Sequence, residues 1–251
     1  MPRDRHRRSA VSPRYVARVW HGPERAAWPA LGPRGCQVVW AAPRRLDDAR
    51  LDDGVRRRMA GLRQPADQDR HATGAVLADA LARIHAGPDA RVVRRRGEAP
   101  VVEGGVHLSV AHGGAWVVVA ISALAPVGVD VEPLTRALDV ELLAEQVLAP
   151  AERDAMVRAD DAHRALLTAW TRKEALLKAT GDGLRVDPRE VVLSPPDAPP
   201  RLLAFAHRPE LVGACAIADV APDAGHAGAV AVLAAEPVTL TALDGEALLA
   251  G

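Results

Sequence analysis

The run Val127-Gly128-Val129-Asp130-Val131-Glu132 constrains this chain more than any other. Valine at alternate positions marks a strand, whose successive side chains point to opposite faces. Val127, Val129 and Val131 therefore share a face that needs burial, while Asp130 and Glu132 project together from the other. Pro133 cannot donate to a ladder and closes the strand directly after Glu132. Two carboxylates thus stand where a buried strand emerges. Such a pair is ordinarily a solvated strand end, and a second segment changes that reading.

Trp170-Thr171-Arg172-Lys173-Glu174-Ala175-Leu176-Leu177-Lys178 reads as a helix with Trp170, Glu174 and Lys178 four apart on one face. Taken alone, Glu174 and Lys178 would be an ordinary surface pair contributing about 0.3–0.5 kcal/mol, and Trp170 a core anchor. Taken with the acidic strand, three carboxylates and an ammonium can converge on one point. Hard oxygen ligands suit Mg²⁺, which binds through one or two carboxylates plus the phosphates of a substrate. Phosphate chemistry is the expectation from these residues. An unrelated Mg²⁺-dependent phosphohydrolase would use the same carboxylates, but it leaves Trp170 and Lys178 without a reason for their positions.

The pair of segments resembles the two signatures of the 4'-phosphopantetheinyl transferase superfamily, in its larger, monomeric, two-half form. Gly128, Asp130 and Glu132 match a strand motif, and Trp170, Lys173, Glu174 and Lys178 match a helix motif that follows it. The resemblance covers about residues 36–235. It implies an α+β fold of two similar halves related by a pseudo-twofold axis, with the active site at their interface. It also implies transfer of 4'-phosphopantetheine from coenzyme A to a serine of an apo acyl or peptidyl carrier protein, releasing adenosine 3',5'-bisphosphate. Mg²⁺, or Mn²⁺ in its place, would lie on Asp130, Glu132 and Glu174. Glu174 would act as general base and Lys178 would stabilise phosphoryl oxygens. Lys173, one residue from Glu174 and so about 100° round the helix, is expected at the rim or on the carrier protein.

For coenzyme A, the resemblance points to Arg63, Arg70, Ala111, His112, Asp130 and Lys178. His112 holds the histidine of the family's Ser-His-Ser-Gly turn, with Ala111 and Gly113 in place of its two serines. The family's Gly-Lys-Pro is Gly97-Glu98-Ala99-Pro100 here, so Arg94, Arg95 or Arg96 would have to supply the missing cation. These departures motivate an alternative, a degenerate homologue that binds coenzyme A or a carrier protein without turnover.

The 251 residues suffice for a substantial core. Thirty-two basic residues balance 32 acidic ones, which excludes a general bias toward nucleic acid or membrane. Cys36 and Cys215, without CxxC spacing, exclude a disulfide framework or a zinc site and suit a cytoplasmic location. No apolar run approaches the about 18–20 residues of a spanning helix.

Residues 1–35 carry eight arginines and read as a disordered basic extension. Residues 36–125 would form the N-terminal half with the coenzyme A phosphate contacts, 126–235 the C-terminal half with the metal site, and 236–251 a closing strand or tail. Helices are expected over 46–62, 67–86, 139–149 and 150–181. Strands are expected at 36–40, 91–96, 101–108, 116–122, 190–193, 201–205, 215–220 and 229–234, besides the acidic one. His112–Ala120 faintly echoes His226–Ala234.

Overall fold

The computed structural model describes residues 19–20, 28–95 and 99–250. Twelve strands and six α-helices are assigned among them. In chain order, the first part holds β1 (Val19–Trp20), β2 (Gly35–Ala41), α1 (Asp53–Ala60), α2 (Pro65–Ala86), β3 (Val92–Val93), β4 (Val101–Val102), β5 (His107–Gly113) and β6 (Trp116–Ser122). The second holds β7 (Val127–Pro133), α3 (Val140–Val147), α4 (Pro150–Val157), α5 (Ala162–Thr180), β8 (Val191–Leu193), β9 (Leu202–Phe205), β10 (Ala216–Asp219) and β11 (His226–Val232). The chain then returns as β12 (Thr239–Asp244) and α6 (Glu246–Leu249).

A mixed five-stranded sheet runs β1-β12-β2-β6-β5, and a three-stranded antiparallel sheet runs β10-β11-β7. Hairpins β3–β4 and β8–β9 stand apart. In the larger sheet Val38 lies opposite Ala120 of β6 and beside Ala242 of the parallel β12. In the smaller sheet Asp130 is paired with Ala229.

Burial sorts these elements into layers. Helix α2 covers one face of the five-stranded sheet through Leu77, Leu81 and their neighbours. The sheet's other face, with Val38, Val118 and Ala120, packs against Val127, Val129 and Val131 of β7. On the far side, α5 covers the three-stranded sheet through Ala175, Leu176 and Ala179. The result is helix, sheet, sheet, helix. At the junction the Ser109 hydroxyl of β5 accepts from the Val129 N–H of β7 at 3.2 Å.

Several boundaries differ from the sequence reading. The helix read as 150–181 is two helices, because Asp161 accepts from the Arg164 N–H at 2.9 Å and caps a fresh start. Pro150 opens α4 and Gly181, at φ +73°, closes α5. The closing segment is no tail, since β12 fills the gap between β1 and β2. Within the stretch read as a basic extension, Val19–Trp20 pair with β12 and Trp28 is buried in the α2 core; the rest of residues 1–27 lies outside the described residues. His112 is the last residue but one of β5 whereas His226 opens β11, so the two echoed stretches do not occupy equivalent places. Among the described residues no helix is long and apolar enough to cross a membrane.

Candidate active site at the β7–α5 junction

Gly128, Asp130 and Glu132 all face α5, and the glycine sets how near the helix comes. A Cβ at Gly128 would stand 2.0 Å from the Ala175 carbonyl oxygen and 2.5 Å from the Ala179 nitrogen. Only hydrogen fits there. Strand and helix then run in opposite senses with nearly matched rungs, because two strand residues rise about 6.7 Å and four helical residues about 6 Å. Lys178 lies over Gly128 and Asp130, and Trp170 reaches Glu132.

Lys178 Nζ donates to Asp130 Oδ1 at 2.8 Å and to the Val129 carbonyl at 3.1 Å. Asp130 is 8% exposed, and its Oδ2 has no partner. Glu174 Oε1 is likewise buried and unpartnered. Burial raises the Glu174 pKa; Lys178 opposes this, while Asp130 and Glu132 push it further up. Burial also leads in raising Glu132, with Arg136 opposing, Asp130 adding, and the Trp170 hydrogen bond and Lys178 pulling down. Glu132 is already engaged, since Arg136 donates to its Oε1. Among the described residues no three of His, Cys, Asp and Glu stand grouped as a ready metal site. Two orphaned carboxylate oxygens do fit an ion that takes one or two protein carboxylates and completes its shell with phosphates and water.

A cationic group lies beside the acidic one. The tip of the β5–β6 hairpin presses on β7, where a Cβ at Gly113 would be 2.2 Å from the Val131 carbonyl oxygen. That contact puts the His112 end of β5 next to Glu132. Arg70 pairs with Asp67 at 2.8 Å and reaches the Gly114 carbonyl at 3.5 Å. His112 is exposed, yet desolvation leads in lowering its pKa, followed by the charges of Arg70 and Lys178. Arg70, His112 and Lys178 thus lie near one another, with Arg70 paired to Asp67 and Lys178 to Asp130.

Other expected residues fall elsewhere. Lys173 is not at a rim. It is 0% exposed, and its Nζ donates to Glu152 Oε2 at 2.5 Å and to the carbonyls of Val147 and Pro188. The 100° turn from Glu174 points it into the packing of α3 and α4 instead of toward solvent. Ala111 is buried between the two sheets, so its methyl faces the core and offers a ligand nothing. Arg63 is exposed in the link between α1 and α2. Arg94 is held at Asp79 Oδ1, 2.8 Å, and the Ala75 carbonyl, 3.0 Å, and so does not substitute for the missing lysine. Arg96, Gly97 and Glu98 lie outside the described residues.

Sequence reasoning passed over Glu152, whose carboxylate takes Lys173 and the N–H groups of Ala149 and Leu193. It also passed over Arg172, which grips Asp219 and the carbonyls of Pro195, Pro196 and Ala198 and so fixes the proline loop. Glu152 had one signal, its place three residues after a helix start.

Residues 126–230 match the family model of the 4'-phosphopantetheinyl transferase superfamily. The chain is 29% identical over 133 residues to the 4'-phosphopantetheinyl transferase HetI of Nostoc sp., covering 52% of this chain and 53% of that one. It thus spans about half the length of the curated relative it matches. Holo-[acyl-carrier-protein] synthase of Thermotoga maritima is 22% identical, with a TM-score of 0.38 over 45% of this chain and 64% of that one. The matched segment carries Asp130, Glu132, Trp170, Glu174 and Lys178, and over it this chain is similar to the 4'-phosphopantetheinyl transferase superfamily.

Proposed function

We propose that the protein transfers the 4'-phosphopantetheinyl group of coenzyme A to a serine hydroxyl of an apo acyl or peptidyl carrier protein. The serine oxygen bonds to the phosphorus bearing pantetheine, the phosphoanhydride bond breaks, and adenosine 3',5'-bisphosphate leaves. One observation carries the reading: Asp130 Oδ2 and Glu174 Oε1 are buried acceptors with nothing to accept from. An unpaired buried acceptor costs about 1–3 kcal/mol, and a cation answers both.

Asp130 and Glu174 would hold Mg²⁺, or Mn²⁺, with Glu132 joining when Arg136 releases it. When bound, the ion neutralises charge on the diphosphate. Glu174 takes the serine proton as general base. Lys178 offers its ammonium to the phosphoryl oxygens as a mobile point charge. Arg70 and His112 receive the nucleotide phosphates. Trp170 steadies Glu132.

The larger two-half form belongs to the same proposal. What supports it is a shared order: β2, α2 and the β5–β6 hairpin on one side, β7, α5 and the β10–β11 hairpin on the other. In each, the last strand lies in the middle. Both halves in one chain make a monomer adequate, and the pathways we propose are those of secondary metabolism, in the cytoplasm. A second reading, binding without turnover, draws on the absence of any hydroxyl at Ala111 and Gly113.

Incubation with coenzyme A, Mg²⁺ and a panel of apo carrier proteins, followed by mass spectrometry of the carriers, separates the two. Gain of one phosphopantetheine on serine is the expected result. Retained coenzyme A binding with no modified carrier would replace the transferase by the binding protein.

A further inference from the structure

His226 takes no part in the chemistry above, yet it is built into the molecule with care. Its side chain is 10% exposed, and its Nδ1 lies 2.7 Å from Asp223 Oδ1. The Asp223 carboxylate holds the Nδ1 edge of the ring, and Nε2 forms the opposite edge. That Nε2 is buried and unpartnered. It is aimed at the tip of the β5–β6 hairpin, 2.9 Å from where a Cβ on Gly114 would stand, with the Pro133 side chain 3.0 Å from the same point. Gly114 sits at φ +55°, a turn conformation that leaves its α-carbon bare toward the ring.

Asp223 carries more than the histidine. Its Oδ1 also accepts from the Gly225 N–H at 2.8 Å, and its Oδ2 accepts from Trp116 Nε1 at 2.7 Å. Trp116 is the first residue of β6, directly after the hairpin tip, whereas Asp223 lies in the β10–β11 turn and His226 opens β11. The Asp223–Trp116 bond therefore joins the two sheets. The β10–β11 turn is in turn fixed to the end of β7, because Gly225 O accepts from the Leu134 N–H at 2.8 Å. A leucine would fill the space of the imidazole without burying an unpartnered polar atom, so packing alone does not account for histidine here.

We infer that Trp116, Asp223 and His226 form a brace that positions the 112–116 hairpin tip, and with it the His112 imidazole, against the carboxylates of β7 and α5. His226 is a positioning residue and not a catalytic one. The consequence for catalysis rests on the transferase reading: the brace sets the distance between the groups that take coenzyme A's phosphates and those that act on the reacting phosphorus. Loss of the brace then weakens coenzyme A binding before it touches the chemical step.

Three variants dissect it. Trp116→Phe keeps the ring and removes the donor to Asp223. His226→Asn keeps a donor at the Nδ1 position and removes the Nε2 end. His226→Gln does the reverse. In steady-state transfer assays, Trp116→Phe and His226→Gln should raise KM for coenzyme A about tenfold with kcat within about twofold of the parent. His226→Asn, which keeps the Asp223 bond, should restore much of the difference. Hydrogen exchange on the same proteins should show amides 112–116 exchanging about tenfold faster, with 170–178 unchanged. An unchanged KM, or lower kcat and lower melting temperature at constant KM, overturns the brace and leaves a packing role. If the parent protein transfers nothing, the transferase reading fails by itself. The exchange rates of the same variants then still decide the brace, and equal rates at 112–116 overturn it.

Discussion

Burial in the fold works against the charge of Glu174, and the proposed reaction uses that charge. Burial raises its pKa, with the charges of Asp130 and Glu132 adding and Lys178 opposing. A carboxyl whose folded pKa lies above its unfolded value contributes stability that is present at low pH and lost as pH rises through the folded value. Without divalent metal, Glu174→Gln should therefore raise the melting temperature at pH 7 and flatten its decline as pH rises above the ordinary carboxylate range. The same change should lower transfer about 10²–10⁴-fold, the contribution of a positioned general base. A Glu174→Gln variant that melts no higher than its parent would show that the carboxylate is not under electrostatic stress. Pattern alone brought Glu174 and Lys178 to one helix face. It could not show that Lys178 rests on Asp130, because that bond depends on how closely α5 approaches β7.

At the scale of elements, that approach is decided by an atom that is missing. Gly128→Ala would drive a methyl into the Ala175 carbonyl and the Ala179 nitrogen. Overpacking of this kind costs about 1–3 kcal/mol, occasionally more. Here it should also move α5 off β7, so transfer should fall more steeply than thermal stability. Equal losses in both would mean that the helix stays in register. The opposite face of α5 offers a second test. Lys173 and Glu152 form a buried pair, and removing one partner of such a pair typically costs about 3–5 kcal/mol. Lys173→Met should accordingly lower the denaturant midpoint sharply while coenzyme A affinity holds in the fraction still folded. A change in carrier recognition without loss of stability would instead return Lys173 to the surface role that the motif suggests. The motif makes Lys173 look like part of the machinery, whereas the packing makes it part of the frame. Four consecutive helical residues cover every direction around the axis, and only the neighbours α3 and α4 settle which direction is inward.

For the molecule as a whole, the two sheets meet along β5 and β7 and share a buried valine layer. The Ser109 hydroxyl, accepting from Val129 N–H, stands at that seam in place of a ladder bond. Ser109→Val leaves that buried N–H without an acceptor, at about 1–3 kcal/mol, and should lower the thermal midpoint while melting stays cooperative. A biphasic melt in the variant would show that the sheets are independent units. The strands and long helices were largely legible, since Trp116–Ser122 and Val127–Glu132 carry β-branched runs and α2 carries a helical apolar stripe. Less visible were the return of β12 to the first sheet and the entry of Val19–Trp20 beside it, because both depend on pairing between residues far apart in sequence.

What the sequence determined by itself is local and periodic. Alternation put Asp130 and Glu132 on one face of a strand, and a four-residue spacing put Trp170, Glu174 and Lys178 on one face of a helix. Tertiary structure decided which faces meet and at what distance. Gly128 and Gly113 admit backbone contact where any side chain would collide, Lys178 closes on Asp130, and Trp116, Asp223 and His226 join two turns that are remote in the chain. Periodicity follows from backbone geometry within a few residues; juxtaposition follows from burying the faces that backbone geometry creates.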